Sequence, residues 1–364
     1  MSFWTSVLGQ FSNLPYPNED CTGRTVIVTG ANVGKFPGSH TSKRRSRAAR
    51  HFVRLNAGKV ILACRSVDKG EAAVRDIEAS DPSGRRGVVD AWQLDLSSFD
   101  SVRAFAARAA ALDRLDALVN NASVLTVAWA TAEDHELMVT VNVLSTFLLT
   151  VMLLPALRRT AAKFNIMPHV VIVSSDGAFL VRPPPFPRRS STVNSDTRHQ
   201  KLMLASFATA QTSFPEKKAD HILNRLKVNQ NYTERYNTTK LLQLMLMRRL
   251  AAAIDASQKG RVVVNSLNPG FCNTQLFRSV PFPFNLFFAP ALALVARSPE
   301  MGSRTLMTAA FAGEDTHGQW MANCKPHGWP AAMTGDEADR VMDKLWDELT
   351  ETLEGIEPGV MNNI

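Results

Sequence analysis

A chain of 364 residues, 45% apolar and 20% charged, has the composition of an ordinary globular protein and can bury a large core within one domain. Its net charge of +8 resides in two stretches: Lys35, Lys43, Arg44, Arg45 and Arg47 within 35–47, and Arg182, Arg188, Arg189, Arg198 and Lys201 against Asp196 within 182–206. Without aromatic interleaving this charge argues against nucleic acid as a partner. Cys21, Cys64, Cys272 and Cys324, widely spaced and lacking a Cys-x-x-Cys pair, argue against a disulfide framework or a zinc site.

Met1 to Gln10 has neither the basic start nor the long apolar run of a signal peptide, so a reducing, cytoplasmic setting is expected. Residues 1–21 read as an N-terminal tail. Thr25-Val26-Ile27-Val28-Thr29-Gly30 is a β-branched run stopping at a glycine, the pattern of a buried parallel strand feeding a tight turn. Gly30-Ala31-Asn32-Val33-Gly34 follows. After the basic stretch 35–47, which reads as an inserted loop, Ala48 to Ala57 is spaced as a helix that closes on Gly58 as its C′ residue. Lys59 to Arg65 is a second strand. Strand, turn, helix and strand make the nucleotide-binding opening of a doubly wound sheet.

The alternation continues. Val88 to Leu94 reads as a strand running into Asp95, and Ala117 to Ala122 as a fourth, containing Asn120 and Asn121. A helix carrying Asn142 is expected to start near Thr131, where Thr131 and Asp134 have the spacing of a cap. His135 would then lie on that helix's surface. His169 to Ser175 is a fifth strand and Arg261 to Ser266 a sixth, followed by Pro269-Gly270. Between them, 181–206 holds Pro183-Pro184-Pro185 and a Ser/Thr/Asn-rich tail, the composition of a second inserted loop. The fold class expected is α/β: a doubly wound parallel sheet in a single domain over 22–358.

Tyr236 and Lys240 stand four apart at the start of a long apolar segment, so on a helix both lie on one face, one turn from each other. An ammonium beside a phenol favours the phenolate and brings its pKa from about 10 toward the working range, which makes an acid/base pair. The most apolar window, Val280 to Ala296, contains Pro281, Pro283, Pro290 and Asn285 and is therefore a poor spanning helix. It reads as a flap over a substrate or against a membrane surface. No Gly-x-Ser-x-Gly elbow accompanies a histidine partner, so a serine hydrolase is not indicated, and no metal site is expected.

Thr29-Gly30-x-x-x-Gly34, Asp95, Asn120-Asn121-Ala122, Asn142, Ser175, Tyr236-x-x-x-Lys240 and Pro269-Gly270 with Thr274 occur in the order found in short-chain dehydrogenases/reductases, and over 22–358 the chain resembles that family. Glu234-Arg235 and Gly318-Gln319-Trp320 resemble fungal members related to retinol and other lipid-alcohol dehydrogenases. The resemblance implies a Rossmann fold in which Tyr236 exchanges the proton of the substrate oxygen. Lys240 lowers the Tyr236 pKa and binds the nicotinamide ribose, Ser175 bonds the same oxygen as Tyr236, and Asn142 holds a water linked to Lys240. Ser174 would point to the opposite face of its strand.

For the cofactor, the resemblance implies Gly30, Asn32 and Gly34 at the pyrophosphate, Asp95 at the adenine, Asn120 beside the adenosine ribose and Thr274 at the nicotinamide amide, with Tyr236 as well as Lys240 among the cofactor-binding residues. After the second strand, Ala63-Cys64-Arg65-Ser66 offers no acid for a ribose 2′-hydroxyl. Arg65 suits a 2′-phosphate, so NADP is the cofactor expected. The family also implies a substrate lid, here 275–300 with Phe277, Phe282, Phe284, Phe287 and Phe288, hence a lipophilic small-molecule substrate. It further implies a homodimer through the helices of Asn142 and Tyr236, and a place in secondary metabolism. Phe36 stands where the third glycine of the turn belongs. A non-catalytic binding protein of the same fold, its cofactor turn disrupted after Gly34, is the alternative.

Overall fold

The computed structural model describes residues 9–10, 12–30, 42–126, 128–180, 214–270 and 297–364. Asn32, Gly34, Thr274, the loop 181–206 and the lid up to residue 296 lie outside these residues.

Eight strands form one sheet in the order β3-β2-β1-β4-β7-β8-β9-β10. They are β1 (Thr25–Thr29), β2 (Lys59–Cys64), β3 (Val89–Gln93), β4 (Ala117–Asn120), β7 (His169–Val173), β8 (Val263–Asn268), β9 (Trp320–Ala322) and β10 (Lys325–His327), while β5 (Thr131–Ala132) and β6 (His135–Glu136) form a separate hairpin. All neighbours in the large sheet run parallel except the last pair, β9 with β10. In register, Val26 faces Val60 on one side and Ala117 on the other. Strand order reverses between β1 and β4, the point where an open α/β sheet leaves a crevice at its carboxyl edge.

Side-chain alternation along the strands sorts two apolar layers. Ile27, Ile61, Leu118, Val170, Ile172 and Val264 pack on one face with α3 (Phe99–Ala110), α4 (Leu137–Phe164), α5 (Arg235–Ser257) and α7 (Asp336–Ile356). Val28, Leu62, Val119, Val171 and Leu267 pack on the other with α1 (Ser42–Arg54), α2 (Val67–Ala79) and α6 (Pro299–Ala310). Strands buried on both faces explain why their sequences are nearly continuous in Val, Ile and Leu. In α7, Ala338, Val341, Met342, Leu345, Leu349 and Leu353 make the buried stripe of an amphipathic helix. The helix Leu137–Phe164 is long and apolar enough to cross a bilayer, but here most of it is buried in the core.

Local expectations fail at four places. Helix α1 already runs from Ser42, so 42–47 is helical rather than part of a loop. The left-handed residue behind α1 is Asn56 (φ 67°), whereas Gly58 is needed for space: a Cβ there would lie 3.0 Å from the backbone of Gly23. Thr131 and Asp134 do not cap a helix. They belong to the β5–β6 hairpin, whose two turn residues Glu133 and Asp134 are both left-handed, and the cap is Glu136, whose carboxylate accepts from the N–H groups of Met138 (2.9 Å) and Val139 (3.0 Å). His135 is therefore a half-buried hairpin residue and not a helix-surface one.

Candidate active site at the carboxyl edge of the sheet

The crevice begins where β1 ends. Thr29 Oγ1 accepts from the N–H groups of Asn121 (3.0 Å) and Ala122 (2.9 Å), and Asn121 Nδ2 donates to the Thr29 carbonyl (3.0 Å). These bonds hold the ends of β1 and β4 together. Gly30 leaves the strand at φ 71°, and a Cβ on it would stand 2.8 Å from Ala122 Cα, so the backbone passes where no side chain fits. A narrow cradle at the switch point, with Arg65 exposed beyond β2 and half-buried Asp95 beyond β3, lies where doubly wound sheets take their ligands.

Asp95 holds its own turn, accepting on Oδ1 from the N–H (2.9 Å) and hydroxyl (2.7 Å) of Ser97. Asn120, at the end of β4, is buried, and its Nδ2 donates to Thr150 Oγ1 inside α4 (3.0 Å).

Asn142 lies in a π-helical turn, Thr140–Leu144, within α4. Such a turn shifts backbone pairing by one residue and frees carbonyls for other partners. Thr146 Oγ1 takes the carbonyl of Val141 (3.0 Å), and Gln243 Nε2 takes that of Asn142 (2.6 Å). The Asn142 amide oxygen accepts from Ser123 Oγ (3.0 Å) and Val124 N (2.8 Å). Its Nδ2 donates to the Val124 carbonyl (3.0 Å) and to Thr239 Oγ1 (3.1 Å). Asn142 thus ties the π turn to the segment after β4 and to α5.

Tyr236, Thr239, Lys240 and Gln243, at i, i+3, i+4 and i+7 of α5, form one buried face. Lys240 Nζ is 5.6 Å from the centroid of the Tyr236 ring and donates to the Val173 carbonyl at the end of β7 (3.0 Å) and to Gln243 Oε1 (2.9 Å). Lys240 is 1% exposed and Tyr236 8%. Ser174, buried, donates to the carbonyl of Lys240 (3.0 Å), while half-buried Ser175 accepts from Gly177 N (3.2 Å). Both serines lie just beyond the end of β7.

The chain has three tyrosines, and the other two serve elsewhere. The Tyr16 ring lies beside Arg54 (4.4 Å) and Arg304 (5.0 Å). The phenol of Tyr232 donates to the carbonyls of Thr126 (3.1 Å) and Ala128, and burial pushes its pKa up to about 12. Immediately before Tyr236, buried Arg235 faces Glu216 (3.6 Å) and donates to the carbonyls of Val228 (3.3 Å) and Gln230 (3.0 Å), fixing the start of α5. Burial holds the Glu136 carboxyl above the usual range, against the opposing effects of its two backbone bonds and Arg235. Burial also lowers His135 to about 4. Among the described residues no group of three His, Cys, Asp or Glu is placed to hold a metal ion.

Thr29, Thr239 and Gln243 are absent from the sequence-based site. Gln243 did carry a signal: it interrupts the run Leu241-Leu242-Gln243-Leu244-Met245 three residues after Lys240.

This architecture is a doubly wound α/β domain with a Tyr–Lys pair at the carboxyl edge of its parallel sheet. The chain belongs to the short-chain dehydrogenase/reductase family. A family model described as short chain dehydrogenase matches residues 24–183. The short chain dehydrogenase/reductase dmxR8 of a Cryptosporiopsis species is 36% identical over 361 residues, covering 97% of each chain. The short chain dehydrogenase atnD of Emericella nidulans is 39% identical over 317 residues, 86% of this chain and 88% of the relative. In fold the chain is similar to a Pseudomonas aeruginosa RhlG/NADP complex, with TM-score 0.54 and 22% identity over 85% of this chain and 97% of the other.

Proposed function

We propose that the protein is an NADP-dependent oxidoreductase that interconverts a carbonyl and an alcohol on an apolar small molecule, with a role in secondary metabolism. The observation that carries this reading is the Lys240 ammonium, buried beside the Tyr236 ring and anchored to β7. A fixed cation there favours the Tyr236 phenolate, so the phenol can take the proton of an alcohol in oxidation and return it to a carbonyl oxygen in reduction. Ser175, half-buried just beyond the end of β7, bonds the same oxygen and holds it against Tyr236. Asn142 keeps α4 and α5 in register beneath them.

Gly30 and Asn32 with Gly34 hold the pyrophosphate of the dinucleotide, Asp95 and Asn120 its adenosine end, Arg65 a 2′-phosphate, and Thr274 the nicotinamide amide. The bound nicotinamide supplies the hydride chemistry. The aromatic residues of 275–300 select a lipophilic substrate.

The test is NADPH titration of the full-length chain, followed by turnover of a panel of medium-chain aldehydes and ketones by the wild type and Tyr236→Phe. Tyr236→Phe is expected to bind NADPH unchanged and to lose about a hundredfold to ten-thousandfold in turnover. Turnover retained in Tyr236→Phe refutes the assignment. A wild type that binds no nicotinamide dinucleotide favours the non-catalytic alternative.

A further inference from the structure

The backbone carbonyl of Asn142 and the ammonium of Lys240 are joined by one side chain, that of Gln243. Only one orientation of its amide works: Nε2 must donate to the carbonyl, and Oε1 must accept from the ammonium. The flipped amide would set oxygen against oxygen and N–H against N–H. Gln243 is 1% exposed, so both bonds lie out of water, where losing a partner is costly.

We propose that Gln243 is a positioning residue for Lys240. Through Nε2 it reads the position of the π turn, through Oε1 it fixes the ammonium beside Tyr236, and it supplies directly the link that the resemblance assigns to a water on Asn142. Together with Thr239, which accepts from the Asn142 side chain and donates to the Tyr236 carbonyl (2.8 Å), it makes α4 and α5 a single frame for the Tyr–Lys pair. The inference rests on the oxidoreductase reading for its consequence but not for its geometry.

Two substitutions separate bridging from packing. Gln243→Met conserves volume but offers Lys240 no strong acceptor and Asn142 no donor. Gln243→Ala leaves a polar space bounded by those same two groups, the setting in which a water binds. Crystal structures of the wild type and both variants, with NADPH affinity measured across pH, form the experiment. The wild type is expected to show the amide between Asn142 and Lys240, and Gln243→Ala to show a water there with an affinity between those of the wild type and Gln243→Met. Gln243→Met is expected to weaken NADPH binding on the order of tenfold or more. Deprived of an acceptor in a buried place, its Lys240 also loses its proton more easily, so affinity falls off at a lower pH than in the wild type. Affinity closer to wild type in Gln243→Met than in Gln243→Ala, or unchanged pH dependence in Gln243→Met, overturns the proposal. If the wild type binds neither NADPH nor NADH, the oxidoreductase reading falls by itself. The crystal structures then decide Gln243: the amide bridge in the wild type and the water in Gln243→Ala uphold it, and a Gln243 amide placed elsewhere overturns it.

Discussion

Replacing Gly30 by alanine tests the geometry of the crevice at its narrowest point. Two separable penalties act there. The residue sits at φ 71°, in the left-handed region that costs an L residue roughly 1–2 kcal/mol. The new Cβ would also stand 2.8 Å from Ala122 Cα and 3.0 Å from Ala122 Cβ, closer than van der Waals contact allows. Because Ala122 is fixed by Thr29, the strain of overpacking adds about 1–3 kcal/mol. Gly30→Ala should therefore cost roughly 2–5 kcal/mol and abolish NADPH binding, since the β1–β4 ends must part. Two controls isolate the contributions. Gly84, at φ 67° with nothing within 4 Å, carries only the conformational penalty. Gly58 has no such φ but a Cβ contact of 3.0 Å with the backbone of Gly23, so it carries only the packing penalty. Urea unfolding followed by circular dichroism measures all three. Gly30→Ala costing no more than Gly84→Ala would refute the close approach and, with it, the cradle.

Arg65→Ala should weaken NADPH binding on the order of tenfold to a hundredfold and leave NADH nearly unchanged, because only NADPH carries the 2′-phosphate; equal losses for both refute the assignment. His51 is 5% exposed and its pKa is lowered to about 4, first by burial and then by Arg54, Arg304 and Arg47, against Glu300. Between about pH 6.5 and 4 the unfolded chain binds a proton that the folded chain refuses, so this histidine makes stability fall with pH, by up to about 1.4 kcal/mol per unit. His51→Gln should flatten that slope in unfolding curves taken at several pH values, and an unchanged or steeper slope contradicts the burial argument. Arg235→Met leaves the buried carboxylates of Glu216 and Glu136 without their cation and should cost about 3–5 kcal/mol in urea unfolding. A loss below about 1 kcal/mol would refute the role of Arg235 as their buried counter-charge.

The parallel strands were legible because strands covered on both faces are mostly apolar, as the middles of β1, β2, β4 and β7 are; β8 carries Asn265, Ser266 and Asn268 and shows that pattern only at its start. The roles of Tyr236, Lys240, Ser175 and Asn142 came from the resemblance to the family and not from the apolar pattern. Turn chemistry was not. Thr131 and Asp134 have the spacing of a helix cap, yet Glu133 and Asp134 adopt left-handed conformations, and a two-residue hairpin forms in front of the helix. Asn56 took the left-handed place expected of Gly58 because asparagine tolerates that region, which left Gly58 for the close pass by Gly23. The inward turns of the Asn120 and Gln243 side chains were hidden for a related reason. Which polar side chain turns inward depends on partners from distant segments, here Thr150 for one and the π-turn carbonyl for the other. No pattern within a single element reveals that pairing.

The start of α1 bears on whether the altered glycine turn disables the site. The helix opens with Ser42-Lys43-Arg44-Arg45 and has no acid in its first turn. Cations at the positive end of a helix dipole work against the helix, by roughly 0.3–1 kcal/mol each near the terminus. A structural loop under selection for stability alone would place acids there instead. An anion bound at that terminus would oppose the penalty, because the positive end of a helix dipole favours negative charge. On the function proposed above, a bound dinucleotide would therefore stabilise the first helix at its N-terminus.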